Sequence, residues 1–202
     1  MHRFAQSLAM LLRRIAAVIL FCPIALTGGI ALAAEPDLAV TVGRSGQVFV
    51  VDATMAVGVS LGTAWAVLTD FDHMASILGN LSSSKVTSRN GNTWIVRQEG
   101  VARYGLLSFA FESEREIRLD PMKRILARNL SGTLKGMQSE ATIIPSNQGV
   151  TITYHASILP DSLLARIFGA SFLRHQVEEQ FLAMAREMAR RHGSVDPLGN
   201  AS

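Results

Sequence analysis

NTWIVRQEGVARYGLLSFAFESEREIRLDP, residues 92–121, changes character at every second residue for most of its length. In Asn92–Tyr104 the odd positions Arg97, Glu99 and Arg103 are charged, whereas Trp94, Val96, Gln98, Ala102 and Tyr104 stand on the other side. In Leu107–Leu119, Glu112, Glu114 and Glu116 alternate with Phe109, Phe111, Ser113, Arg115 and Ile117. A period of two is the mark of a strand with one face on a core and the other in water. Gly105 separates the two runs and Asp120-Pro121 makes a turn. Connections this short join antiparallel neighbours.

The same period extends over Lys85–Arg89, Lys123–Ser131, Lys135–Ile144 and Gly149–Ile158. Asn90-Gly91 is a two-residue hairpin signal. Gly132 and the Pro145–Gly149 stretch are further breaks. In the last strand Val150, Ile152, Tyr154, Ala156 and Ile158 form the inner set. Upstream, Val48–Val57 reads as a first strand, with Phe49, Val51, Ala53, Met55 and Val57 on one face. Residues 34–47 are polar and glycine-containing and read as a flexible N-terminal segment. Ser60 suits the N-cap of a short helix carrying Trp65 and Leu68. Asp70 suits the cap of a second, with Met74, Ile77 and Leu78 on its apolar side. Asn80–Ser84 reads as a turn.

After Pro160 the spacing becomes helical, with Asp161 or Ser162 as cap. Leu164, Phe168 and Phe172 form one stripe, and Leu173, Val177, Phe181, Met184 and Met188 continue it past a bend near Gly169. Arg186, Arg190 and Arg191 suit the negative end of the helix dipole. Gly193 can end the helix, leaving 193–202 as a disordered tail. The expectation is an α+β domain over 48–192. It has a curved seven-stranded antiparallel sheet, two short helices after the first strand, and a long C-terminal helix covering one face.

The chain has 202 residues, of which 49% are hydrophobic, which excludes a disordered polymer. Its charge is unevenly placed. Arg3, Arg13 and Arg14 precede every acidic residue, the first of which is Glu35. Without those three, basic and acidic side chains balance, so the domain has no electrostatic footprint for nucleic acid. The basic start, the apolar run Ile15–Leu26 and the Ala31-Leu32-Ala33 exit form a signal-peptide pattern. Residues 1–33 are expected to direct export to a bacterial periplasm, with cleavage after Ala33. An uncleaved anchor is the alternative. Cys22, the single cysteine, lies within this leader. The remaining chain therefore has no disulfide or thiolate metal site.

The inner face mixes aromatics with Ala102, Ala127, Ser131, Ser139, Ala141 and Ala156. Small residues on a curved sheet serve either tight helix packing or a ligand cavity. Arg115 falls on this face by alternation, where an unpaired guanidinium is costly. A bulge near Ser113 or a wet rim would relieve it. If it points inward, Arg115 joins Gln98 and Tyr104 as the polar group that orients a ligand. His73 lies beside Asp70 and Asp72 at a surface turn, His155 falls on the outer face, and His175 lies near the polar side of the long helix. None has the spacing of a catalytic or metal-binding set, and no HExxH, G-x-S-x-G, P-loop or GxGxxG occurs. No catalytic residue, metal ligand or cofactor is assigned.

Trp65-Ala66-Val67-Leu68-Thr69-Asp70-Phe71-Asp72-His73-Met74, Gly79-Asn80-Leu81, Arg115-Glu116-Ile117 closing at Asp120-Pro121, Ser131-Gly132, and the terminal helix with Phe181 together resemble the START-like (SRPBCC, helix-grip) superfamily. The branch indicated is polyketide cyclase/dehydrase and coenzyme Q-binding. The likeness spans Val48–Arg191. It implies a hydrophobic tunnel between the sheet and the C-terminal helix, and ligands such as lipids, sterols, isoprenoid quinones or polyketides. The candidate ligand-binding residues are then Trp94, Val96, Gln98, Ala102, Tyr104, Phe109, Phe111, Arg115, Ile152, Tyr154, Val177, Phe181 and Met184. Three readings follow. One is an exported binding protein for a hydrophobic small molecule, with transient membrane contact compatible. Another is a cyclase or dehydratase in the same cavity. The third is a solid-core interaction domain. The leader argues against a respiratory-quinone role and against cytoplasmic polyketide assembly.

Overall fold

The structure, a computed structural model, describes residues 36–133, 136–159 and 169–195. The expected leader, the cap at Asp161 or Ser162, Leu164, Phe168 and the tail beyond Val195 lie outside the described residues.

Among the described residues, eight strands make one antiparallel sheet. They are β1 (Asp37–Ser45), β2 (Val48–Val57), β3 (Leu81–Asn90), β4 (Thr93–Tyr104), β5 (Leu107–Asp120), β6 (Arg124–Gly132), β7 (Gln138–Ser146) and β8 (Gly149–Ile158). Their spatial order is β1-β2-β8-β7-β6-β5-β4-β3. Between β2 and β3 come α1 (Leu61–Leu68), a 3-10 turn (Phe71–His73) and the single-turn α2 (Met74–Ile77). The helix α3 (Ala170–Val195) closes the described chain.

The sheet has eight strands rather than seven because residues 37–45, expected to be flexible, form β1. Leu38, Val40 and Val42 are half-buried there and alternate with exposed Asp37, Ala39 and Thr41. Gly46, at φ +60°, makes the tight return into β2. β1 also supports the long helix, whose backbone comes close chiefly to β1, β2 and α1. The expected turn at Asn80–Ser84 is also corrected, since β3 begins at Leu81. Gly193 does not stop α3, which runs on to Val195.

Ser60 caps α1 as expected, its Oγ accepting from the Thr63 N–H at 3.0 Å. Asp70 takes the N-cap position of the 3-10 turn, but its carboxylate makes no capping bond. It accepts instead from Arg191 Nη2 at 2.7 Å and pairs with His73 Nδ1 at 2.7 Å. Glu187 accepts from Arg190 and Arg191 of the same helix. This cluster fastens the C-terminal half of α3 to the short-helix segment. Asp72 fastens that segment to β3, accepting from the Val86 N–H at 2.8 Å and pairing with Arg89. The register skips Thr87 there, which frees the Val86 amide from the ladder.

Among the described residues, the buried side chains form two clusters. The larger includes Met55, Val67, Val96, Ile117, Ile152 and Met188. The smaller contains Phe49, Val51, Ala156 and Ile158. Tyr154 and Val177 touch both. Ile117 and Ile152 of the larger cluster and Val51, Ala156 and Ile158 of the smaller one border the same space.

Candidate functional site: a cavity beneath the long helix

A cavity of about 320 Å³ lies between the inner sheet face and α3. That is the lower end of the usual range for small-molecule pockets, about 300–1,000 Å³. Its space comes from residues with little side chain. Ala127 on β6, Ser139 and Ala141 on β7 and Ala156 on β8 all border it. Phe111, Ile117, Ile152 and the α3 residues Val177, Phe181 and Met184 supply the apolar wall. Gly100, paired with Phe111 across the ladder, leaves room for its ring. A Cβ there would come within 2.8 Å of that ring and collide with the Asn80 carbonyl.

Most of the thirteen residues singled out from sequence border this space: Gln98, Ala102, Phe109, Phe111, Arg115, Ile152, Tyr154, Val177, Phe181 and Met184. Three do not. Trp94 belongs to the filled end of the sheet, edge-on to Phe71 at 5.9 Å with the Arg89 guanidinium 4.3 Å from its ring. Val96 is fully buried in the larger cluster beside it. Alternation gave both the right face, but the short-helix segment plugs that end. Tyr104 is 40% exposed, at the opposite end of β4. Its ring stacks edge-on to Phe172 and beside His175, over the first turns of α3, and it lines a surface hollow instead.

Arg115 points inward. The register of β4 on β5 is unbroken from Thr93↔Arg118 to Tyr104↔Leu107, so alternation holds along β5. A bulge does lie beside Arg115, but β6 carries the extra residue: Glu114 faces Ser131 and Arg115 faces Asn129, skipping Leu130. The bulge therefore turns Ser131, expected inside, out to the exposed face, and leaves Arg115 in place. Gly132, at φ +98°, completes the distortion, where a Cβ would strike the Glu112 carbonyl.

The polar groups of the cavity gather around this residue. Arg115 Nη2 donates to Ser139 Oγ at 3.4 Å, and its Nε is closed off without an acceptor. Asn129, directly across the ladder, has a buried Oδ1 without a partner. The Tyr154 phenol lies near the Ser139 hydroxyl. Burial pushes the Arg115 guanidinium below its ordinary pKa, with Tyr154 opposing. Burial also pushes the Tyr154 phenol up, with Arg115 and Ser139 pulling it partly back. Gln98 is turned away from this group, its Nε2 donating to Ser84 Oγ at 3.2 Å. Ser139 was expected on the inner face, whereas Asn129 was not singled out, and only the assembled sheet shows that they converge on Arg115.

A second polar set closes the cavity toward the hollow beside Tyr104. Gln176 Nε2 donates to the Arg103 carbonyl at 3.0 Å, and Asn80 Nδ2 donates to Gln176 Oε1 at 3.4 Å. Leu78, Asn80, Gln176 and Gln180 border both spaces. Gln176 follows the inward spacing of Leu173 and Gln180, a helical signal that a search for apolar stripes passes over. None of His73, His155 and His175 borders the cavity. His73 is exposed beside Asp70, His155 pairs with Asp52 at 2.7 Å on the outer face, and His175 reaches Glu179.

A long helix held off a curved antiparallel sheet by a greasy void is the helix-grip arrangement. Residues 48–193 match the family model described as polyketide cyclase / dehydrase and lipid transport. The chain belongs to this family. The polyketide cyclase/dehydrase and lipid transport match begins at β2, so β1 lies outside it. Solved structures with the same fold include an aromatase/cyclase from Streptomyces sp. R1128, at 18% identity and TM-score 0.57, covering 76% of this chain and 99% of that one. A START superfamily protein from Mycobacterium smegmatis aligns at 12% identity and TM-score 0.55, covering 72% and 98%. A STAR-related lipid transfer protein from Xanthomonas axonopodis aligns at 11% identity and TM-score 0.51, covering 77% and 99%. Identities this low establish shared architecture and leave chemistry to the site. No curated protein matches the sequence significantly.

Proposed function

We propose that this member of the family is an exported carrier that holds a hydrophobic small molecule, of lipid, isoprenoid or quinone-like type, between the sheet and α3. The observation that carries the reading is the apolar cavity between the sheet and α3, bordered by both buried clusters. An empty space of that size forfeits dispersion contacts on every wall, and a bound apolar molecule restores them. Its burial contributes about 25 cal/mol per Å² before ordering costs. The family description and the lipid-transfer neighbour support the ligand class. The leader pattern over residues 1–33 supports export.

Native mass spectrometry of protein released gently from the periplasm tests the carrier: a co-purifying apolar mass is expected. Protein that carries none, and that also leaves the fluorescence of the neutral probe N-phenyl-1-naphthylamine unchanged, refutes it. Edman sequencing of the same sample is expected to start at Ala34. A second reading, a cyclase or dehydratase, draws on the aromatase/cyclase neighbour and on the hydrogen-bond donors of Arg115 and Tyr154 inside the cavity. Turnover of a polyketide-like substrate that disappears in Arg115→Met would favour it over carriage.

A further inference from the structure

We propose that the ligand is an amphiphile with a carboxylate head, and that Arg115 pairs with that head inside the cavity, assisted by Asn129, Ser139 and Tyr154. The inference rests on the carrier reading and adds the chemistry of the ligand's polar end.

Arginine stays protonated in proteins, so Arg115 brings a positive charge into an apolar space. Among the described residues bordering the cavity it is the one cation. No carboxylate of the described residues pairs with it. The neighbouring acids lie on the outer face: Glu114 alternates away from Arg115 on β5, Glu116 pairs with Arg128, Glu140 with Arg124, and Glu112, at the cavity rim, with Arg97. Among the described residues, the one side-chain hydrogen bond of Arg115, to Ser139, is long, and its Nε has none. The groups around it can each turn a donor toward a bound anion. Tyr154 and Ser139 carry hydroxyls, and the unpartnered Asn129 amide presents its NH₂ once rotated.

A cation ringed by donors is complementary to an oxyanion. A neutral carbonyl would accept hydrogen bonds but leave the guanidinium charge uncompensated. A phosphate monoester would bring a second negative charge with no second cation to meet it. A carboxylate matches in charge, and the planar fork of arginine accommodates its two oxygens side by side. The apolar lining that extends from this point to Phe181 and Met184 then takes the hydrocarbon part.

The test displaces N-phenyl-1-naphthylamine from delipidated full-length protein with oleate, methyl oleate and oleyl alcohol. Oleate is expected to displace the probe at least about tenfold more strongly than either neutral analogue. Arg115→Met is expected to keep the probe and lose that preference. Equal competition by all three in the wild type, or an undiminished preference in Arg115→Met, overturns the carboxylate assignment and leaves the carrier intact. Failure of the probe and of every oleyl compound to bind overturns both. Should Arg115→Met not fold, the wild type still decides through the NMR titration of oleate labelled with ¹³C at the carboxyl. Bound oleate that stays ionised well below the pH at which free carboxylates protonate supports the pairing, and bound oleate that protonates with them refutes it.

Discussion

Arg115 is where strand geometry and charge meet. Its orientation costs desolvation that no carboxylate among the described residues repays. Removing an unpaired buried charge, unlike breaking a pair, leaves nothing stranded. Arg115→Met in the ligand-free protein is therefore expected to be neutral or more stable by about 1–2 kcal/mol. The midpoint of urea unfolding checks this, and a loss of stability would mean that the guanidinium is already compensated. Two methionines of α3 separate wall from core in the same way. Met188 is fully buried in the larger cluster, so Met188→Ala is expected to cost about 2–5 kcal/mol. Met184, one turn earlier, borders the cavity and is only half-buried. Met184→Ala is expected to cost less than half as much in the same urea titration, because part of its surface has no packing to lose.

At the scale of elements, the charge cluster at the end of α3 sets how the helix responds to acid. Hydrogen bonds from Arg190 hold Glu187 at about 2, against burial and with further help from Arg191; the ordinary value is 4.5. Burial raises Asp70, but His73 and Arg191 outweigh it and hold that carboxyl below its ordinary value of 3.8. Both folded-state values are depressed, so the stabilisation is complete above the ordinary values and is lost as pH falls through the depressed ones. Urea midpoints are expected to fall between pH 4.5 and about 2. Glu187→Gln is expected to flatten that slope while lowering stability at pH 7. An unchanged slope in the variant would show that the cluster does not fasten the helix.

For the whole molecule, the decisive feature is that α3 is held close to β1, β2 and α1 while small residues lie beneath its other side. In a filled core, a larger side chain introduced at Ala141 would cost about 1–3 kcal/mol. In the cavity it occupies free space. Ala141→Phe is expected to change the urea midpoint little and to abolish N-phenyl-1-naphthylamine binding. Strong destabilisation with binding retained would place the ligand elsewhere.

Strand faces, the Ser60 cap, the turns and the amphipathic helix were legible in the order of residues, because each depends on a period or a capping chemistry that spans a few positions. The apolar wall from Ile152 to Phe181 was legible on the same grounds, whereas alternation placed Arg115 inside but left open the bulge or wet rim that would turn it out, which the register of β4 on β5 decides. What decided the rest acts between distant segments. β1 resembles a loop until β2 and α3 give Leu38 and Val40 something to pack on. Trp94 and Val96 share a face with Gln98, but only the docked short-helix segment makes their end solid. Leu130 shows no local sign of a bulge; the mismatch exists only in its pairing with β5. A hollow is a property of how far apart surfaces are held, and that distance is set by tertiary packing rather than by any local pattern along the chain.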